Sequence, residues 1–204
     1  MDEKLLVRRA QAGDFEAFTD LIKAHKDRIY GLALRLSGNS QDAEDVVQDT
    51  FLKAIDKIDQ FRLESSFGTW LYSIALNQAR AMLARRKQED LKPIEEYLPV
   101  RVAADDDSGG HGHGSHGLFE WKDPEKLLED KELRQAIDKL IAELPYQYRE
   151  AFLLRYDQGL SVKEIAAIIN ESEAATKSRI LRARLALREK LSEIFETRYD
   201  REVS

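Results

Sequence analysis

The sequence predicts an all-α protein of two small helical domains joined by a flexible acidic linker. Three observations carry this. The 204-residue chain is 43% hydrophobic and rich in helix formers, with only 4 Pro and 10 Gly. Apolar residues recur at three- and four-residue steps on both sides of the middle of the chain. Between them, from about Gln88 to Asp123, every periodicity breaks around Pro93, Pro99, Asp105-Asp106-Asp107 and Gly109-Gly110. The expected division is residues 1–88, a linker over 89–123, and residues 124–204.

Residues 2–12 read as a short helix interrupted at Gly13-Asp14. A long helix follows, with the stripe Phe15, Phe18, Ile22, His25, Ile29, Leu32 and Leu36, ending near Ser37-Gly38. His25 lies within that stripe and has no partner at ligand spacing, so it reads as a packed or edge histidine. Asn39 or Ser40 caps the next helix. Its apolar side is Ala43, Val46, Val47, Phe51, Ala54, Ile55 and Ile58, and its other side carries Asp42, Asp45, Gln48, Asp49 and Lys53. This carboxylate row is open to three readings: metal or acid–base chemistry, a plainly solvated face, or an acidic docking surface for a basic partner.

After Phe61 the polar, turn-like stretch Arg62–Phe67 leads to a third helix beginning near Gly68-Thr69. Trp70, Leu71, Ile74, Ala75 and Met82 give it apolar contacts, while Asn77, Arg80, Arg85, Arg86 and Lys87 give it a basic side. Aromatic residues beside cations suit single-stranded nucleic acid, whose unpaired bases expose their faces. Phe67 and Trp70 are equally compatible with a core role, Trp70 keeping one edge exposed.

The last domain opens with Asp123-Pro124, a proline suited to a helix start. Leu133, Ile137, Leu140, Ile141 and Leu144 make one helix, closed at Pro145; residues 146–157 make the next, stopped by Gly159. Ser161 then stands three residues before Glu164 as a capping box, Asn170 is placed for a left-handed C-cap, and Ser172 caps a second helix. On that helix Thr176, Ile180, Ala183, Leu187, Leu191 and Ile194 form an apolar stripe. Ala174, Ala175, Ser178 and Arg182 fall opposite, flanked by Lys177, Arg179, Arg184 and Arg188. A short helix, a tight turn and a basic second helix with small residues at its front make a helix-turn-helix, whose backbone can approach the major groove. Ser178 and Arg182 then reach base edges and the flanking cations reach phosphates. A helical hairpin with solvated arginines is the plainer alternative.

The net charge is −6, but it is unevenly spread: residues 1–90 carry −1, residues 91–130 carry −6 and residues 131–204 carry +1. Local basic faces must therefore carry any contact with DNA. The chain has no cysteine, which excludes disulfides and thiolate zinc sites within it. No apolar run approaches the roughly 18 residues of a membrane span, and the N-terminus does not read as a signal peptide, so a cytoplasmic protein without membrane insertion is expected. His111, His113 and His116 sit in the central tract as a weak metal candidate of undefined geometry; no other metal site and no cofactor is expected. No nucleophile–base set or phosphate loop is present, which argues against an enzyme.

The order of segments resembles a known family. DAEDVVQDTFLKAIDKIDQFR followed by SSFGTWLYSIALNQAR resembles region 2 of bacterial RNA polymerase sigma factors of the extracytoplasmic-function group, in the sigma-70 family. LPYQYREAFLLRYDQGLSVKEIAAII followed by TKSRILRARLALR is similar to their region 4, and the envelope-stress, RpoE-like branch is the nearest. The resemblance covers residues 1–88 and about 124–196. It implies a promoter-specificity subunit, the first domain being the region 2 helical bundle and the last the region 4 helix-turn-helix. Asp42, Asp45, Gln48 and Asp49 would dock on the β′ clamp helices of core RNA polymerase, with the β flap as a second polymerase contact. Arg62, Ser65, Phe67, Trp70, Asn77 and Arg80 would open the minus-ten promoter element and hold an extruded base. Ala175, Lys177, Ser178, Arg179, Arg182 and Arg184 would meet the minus-thirty-five element. The linker would thread toward the RNA exit path, and an anti-sigma factor is an implied partner.

Two departures are visible. The linker is longer and more histidine-rich than the family leads one to expect, so no property of it is carried over. The other lies at the turn. The family usually carries Gly-x-Pro-x-Gly-Thr-Val around the turn, where this chain holds Asn170, Ser172, Ala174, Ala175 and Thr176. Capping and small size are kept, so the fold is expected to survive while the bases read there differ. A free-standing repressor or activator would need only the C-terminal unit; the acidic second helix and the aromatic-basic third helix favour the polymerase subunit.

Overall fold

The computed structural model describes residues 2–89 and 131–202, with side chains over 2–86 and 135–192. The expected linker, its histidines His111, His113 and His116, and the helix start at Asp123-Pro124 lie outside the described residues.

Helix α1 (Glu3–Gln11) begins where the Asp2 carboxylate accepts the Lys4 N–H at 3.0 Å. Helix α2 (Phe15–Ser37) is capped by Asp14, which accepts from Ala17 at 3.1 Å, and ends at Gly38 with φ +83°. That left-handed C-cap is inexpensive only without a Cβ. Asn39 caps α3 (Ser40–Lys57), a single 3₁₀ turn covers Ile58–Gln60, and α4 (Phe67–Glu89) follows the loop Arg62–Ser66. Helix α2 is the spine of this N-terminal body: α1, α3 and α4 all pack on it. Leu21, Ile29, Leu32, Leu36, Phe67, Leu71 and Leu76 are fully buried between them. Each such side chain contributes about 1.5–3 kcal/mol of burial.

The C-terminal body contains α5 (Lys131–Glu143), α6 (Tyr146–Tyr156), α7 (Val162–Ile169) and α8 (Glu173–Glu202). Pro145 has β-like ψ of 138° and opens α6 just after α5 closes. Helices α6 and α7 pack on α8, burying Leu153, Leu154, Ile165, Ile180, Ala183 and Leu187.

The two bodies touch. Helix α2 meets α5 and α6, and α4 meets α7. Arg35 pairs with Asp138 at 3.4 Å and with Asp157, and Arg149 donates to the Leu36 carbonyl at 3.0 Å. Three details differ from the sequence reading. Phe15 is 69% exposed although it continues the α2 stripe, because it occupies the first helical position next to the cap. Ile55 is exposed on α3, and α4 starts at Phe67, slightly earlier than expected. No described helix is long and apolar enough to cross a membrane.

Candidate functional site

On the N-terminal body, Asp42, Asp45, Gln48 and Asp49 of α3 line one open depression together with Gln78, Met82, Arg85 and Arg86 of α4. The helical step of three and four residues places them on one face. Asp42 is committed locally: Asn39 Nδ2 donates to it at 2.6 Å and Arg86 Nη1 approaches at 2.5 Å. Asp45 and Gln48 are exposed and Asp49 is half-buried, so these three carry the accessible surface of the row. Among the described residues, no three His, Cys, Asp or Glu side chains are arranged to hold a metal ion.

At the far end of α3 the chain turns through Arg62–Ser66 into α4. Arg62 is exposed and Ser65 half-buried. Trp70 stacks on Phe61 at 5.0 Å and 26°, and Phe67 meets Phe61 edge-on at 5.9 Å and 68°. Phe67 has no exposed surface. It belongs to the core and supports the platform from below, which corrects its placement among the direct DNA contacts: a ring closed in on every side offers no face to a base. Trp70 is half-buried, as its amphipathic ring suggests, and Asn77 is exposed on α4.

On the C-terminal body the helix-turn-helix is built as its caps require. The Glu164 carboxylate accepts the Ser161 N–H at 2.9 Å while Ser161 Oγ accepts the Glu164 N–H at 3.2 Å. The hydrogen bonds from Ser161 hold the Glu164 carboxyl below its ordinary range. Asn170 turns the chain at φ +56°, ψ 50°, and Ser172 Oγ accepts from Ala175 at 3.1 Å to start α8. Thr176, Ile180, Ala183 and Leu187 are buried, while Ala174, Lys177, Ser178, Arg182 and Arg184 are exposed and Ala175 is half-buried. Arg182 Nη1 donates to the Tyr148 hydroxyl at 3.2 Å, a contact bringing α6 to the edge of this face.

Two of the candidate DNA residues are engaged elsewhere. Arg80 donates through Nε and Nη2 to Glu150 at 3.0 and 2.8 Å, across the contact between the two bodies. Arg179 pairs with Glu171 and approaches the same Glu150 at 3.7 Å. Burial pushes the Glu150 carboxyl up from its ordinary value, opposed by Arg80 and Arg179. Burial pulls Arg80 down, but the Glu150 carboxylate overrides it and holds the guanidinium above its ordinary value. Glu150 was absent from the sequence-based site. Its register was the available signal: Tyr146, Glu150, Leu153 and Leu154 fall on one face of α6, so a carboxylate there must be buried and paired.

A family model described as Sigma-70 region 2 matches residues 21–89, and one described as Sigma-70, region 4 matches residues 134–187. The chain is 33% identical over 198 residues to the ECF RNA polymerase sigma factor SigW of Bacillus subtilis (strain 168), covering 94% of this chain and 97% of that one. It is 37% identical over 191 residues to the ECF RNA polymerase sigma-E factor of Escherichia coli (strain K12), covering 94% and 95%. Among solved structures it is similar to CnrH in complex with the cytosolic domain of CnrY, with TM-score 0.64, 25% identity and coverage of 94% and 97%. It is also similar to the sigma factor RpoE in complex with the anti-sigma factor NepR from Bartonella quintana, with TM-score 0.62, 28% identity and coverage of 86% and 96%.

Proposed function

The chain belongs to the extracytoplasmic-function group of the sigma-70 family, and from that premise we propose how its parts divide the work of promoter-specific transcription initiation. Residues 1–88 serve as region 2 and residues 124–204 as region 4, with the acidic segment 89–123 between them in sequence.

Asp45, Gln48 and Asp49 dock on the β′ clamp helices, with Asp42 holding Arg86 behind them. The loop Arg62–Ser66, the edge of Trp70, and Asn77 take the non-template strand of the minus-ten element, capturing a base by stacking and pocket contacts. Ala175, Lys177, Ser178, Arg182 and Arg184 approach the minus-thirty-five element through the major groove, and the same body contacts the β flap. Arg80 and Arg179 join these sets when Glu150 releases them. All of this is binding, so the subunit supplies no chemistry of its own and works in the cytoplasm with the polymerase. One relative was solved with an anti-sigma factor, and we extend that type of partner to this chain.

The observation that supports this reading best is the pairing of two surfaces on one chain: a partly exposed acidic row on α3, with Asp45 and Gln48 open and Asp49 half-buried, and an exposed basic face on α8. A stand-alone repressor has use only for the second. Co-purification separates the two readings. The sigma reading expects the protein to retain core polymerase and to bind promoter duplex weakly by itself; tight duplex binding without polymerase would overturn it.

A further inference from the structure

We propose that helix α1, which precedes the segment matched by the region 2 model, is a brace that sets the shape of the loop Arg62–Ser66, with Glu3 and Gln11 as positioning residues for base capture. The proposal rests on the reading that this loop receives an extruded base.

The loop is pinned at both ends by one helix. Upstream, the Gln11 side-chain amide donates to two main-chain carbonyls, Ile58 at 2.9 Å and Phe61 at 2.8 Å. Downstream, Glu3 Oε1 accepts the Phe67 N–H at 3.1 Å. That N–H is the first of α4, one of the groups a helix cannot satisfy internally, and a carboxylate at a helix N-terminus is favoured by the dipole. The other Glu3 oxygen lies 3.2 Å from His25 Nε2, and His25 packs against Phe67 with ring centroids 5.6 Å apart. A Cβ on Gly68 would come within 3.0 Å of the His25 ring, so glycine is what lets α4 start this close. Glu3 and Gln11 are eight positions apart along the helix, a span of about 12 Å, and the loop bridges the two anchors.

Between the anchors the backbone is strained. Leu63 has φ +59° and is one of two non-glycine residues with positive φ among those described. A conformation of this kind costs on the order of 1–3 kcal/mol and persists where the surroundings over-determine it. Leu63 packs into the core, and its neighbours Arg62 and Glu64 are turned outward and exposed. Gln11 and Glu3 are the α1 side chains that hold the two flanking backbone segments, alongside Ser66 Oγ, which accepts the Thr69 N–H at 3.0 Å within the start of α4 itself. Without them the loop loses both of its anchors to α1, and the groups offered to a base lose their placement while Trp70, the Ser66 cap and the core beneath remain.

The test uses the full chain assembled with core polymerase and single-stranded minus-ten oligonucleotides carrying each base, or an abasic site, at every position. Glu3→Ala and Gln11→Ala should lower discrimination at the captured position by about tenfold, within the worth of one base contact. Glu3→Gln, which keeps an acceptor for the Phe67 N–H, should restore most of it, and duplex minus-thirty-five affinity and polymerase binding should stay at wild-type level. Full discrimination in both alanine variants would overturn the brace, and so would a loss that spreads equally to duplex and polymerase binding. If the wild-type protein discriminates at no position, the capture reading fails instead; if it discriminates and an Arg62→Ala, Ser65→Ala variant loses this while the α1 variants keep it, only the brace fails.

Discussion

Glu150 of α6 is 2% exposed and receives two hydrogen bonds from Arg80 of α4, 70 residues earlier in the chain. The bidentate geometry matches the guanidinium fork, the strongest form of such a pair. It joins the two bodies at a point where both carry DNA-facing candidates, because Arg179 leans on the same carboxylate. On the proposed reading of Arg80 as a minus-ten contact, promoter DNA and Glu150 compete for one cation.

The first prediction follows from that competition. Glu150→Gln keeps the volume and removes the charge, so Arg80 becomes available. Fluorescence titration of the free protein with a minus-ten single strand should give about tenfold tighter binding, equivalent to about 1.4 kcal/mol and within the worth of a charge-assisted hydrogen bond. Arg80→Ala in the same background should remove the gain. Unchanged affinity in Glu150→Gln would mean that Arg80 does not meet this strand.

The second concerns the acidic row. Asp49→Lys places a cation among Asp45, Arg85 and Arg86, reversing the charge offered to a basic partner. Polymerase binding should weaken by about tenfold or more, while minus-thirty-five duplex binding, carried by the other body, should stay constant. Retained polymerase affinity in a pull-down would put the docking surface elsewhere.

The third concerns readout. Arg182 is exposed on α8, with one long hydrogen bond to Tyr148 holding it. Arg182→Ala should cost about 1–3 kcal/mol in minus-thirty-five affinity and relax preference at one base pair. A loss of the same size on every sequence would identify a phosphate contact in its place.

The fourth concerns the caps and carries a pH sign. Ser161→Ala removes the capping box of α7 and should destabilise the protein by about 1 kcal/mol in urea unfolding. The Glu164 carboxyl is held below its ordinary value of 4.5 by Ser161. Its contribution is therefore present above about pH 4.5 and is lost as pH falls through the lower folded value. The gap between wild type and variant should narrow on acidification. A gap that widens there would contradict the assigned geometry.

What could be read in advance was local. Ser161, Asn170, Ser172, Gly38 and Asn39 act through neighbours three or four positions away, so their caps and turns follow from spacing alone. The burial of Thr176, Ile180, Ala183 and Leu187 along α8 followed for the same reason. Phe67 is different: an aromatic beside cations fits either a stacking platform or a core, and only the packing of α1 and α2 around it decides for the core. The partner of Arg80 depends on how two bodies meet, which no periodicity encodes. Gln11 and Glu3 likewise act 50 and 64 positions away, so neither stood out.

The most direct test of the account is reconstituted transcription with purified core polymerase and a randomised promoter library. The account predicts that adding this protein selects templates sharing two separated elements and a common start site. It also predicts that Asp49→Lys weakens the selection and that Arg182→Ala alters only the upstream element. Transcripts no different from those of bare polymerase would contradict it.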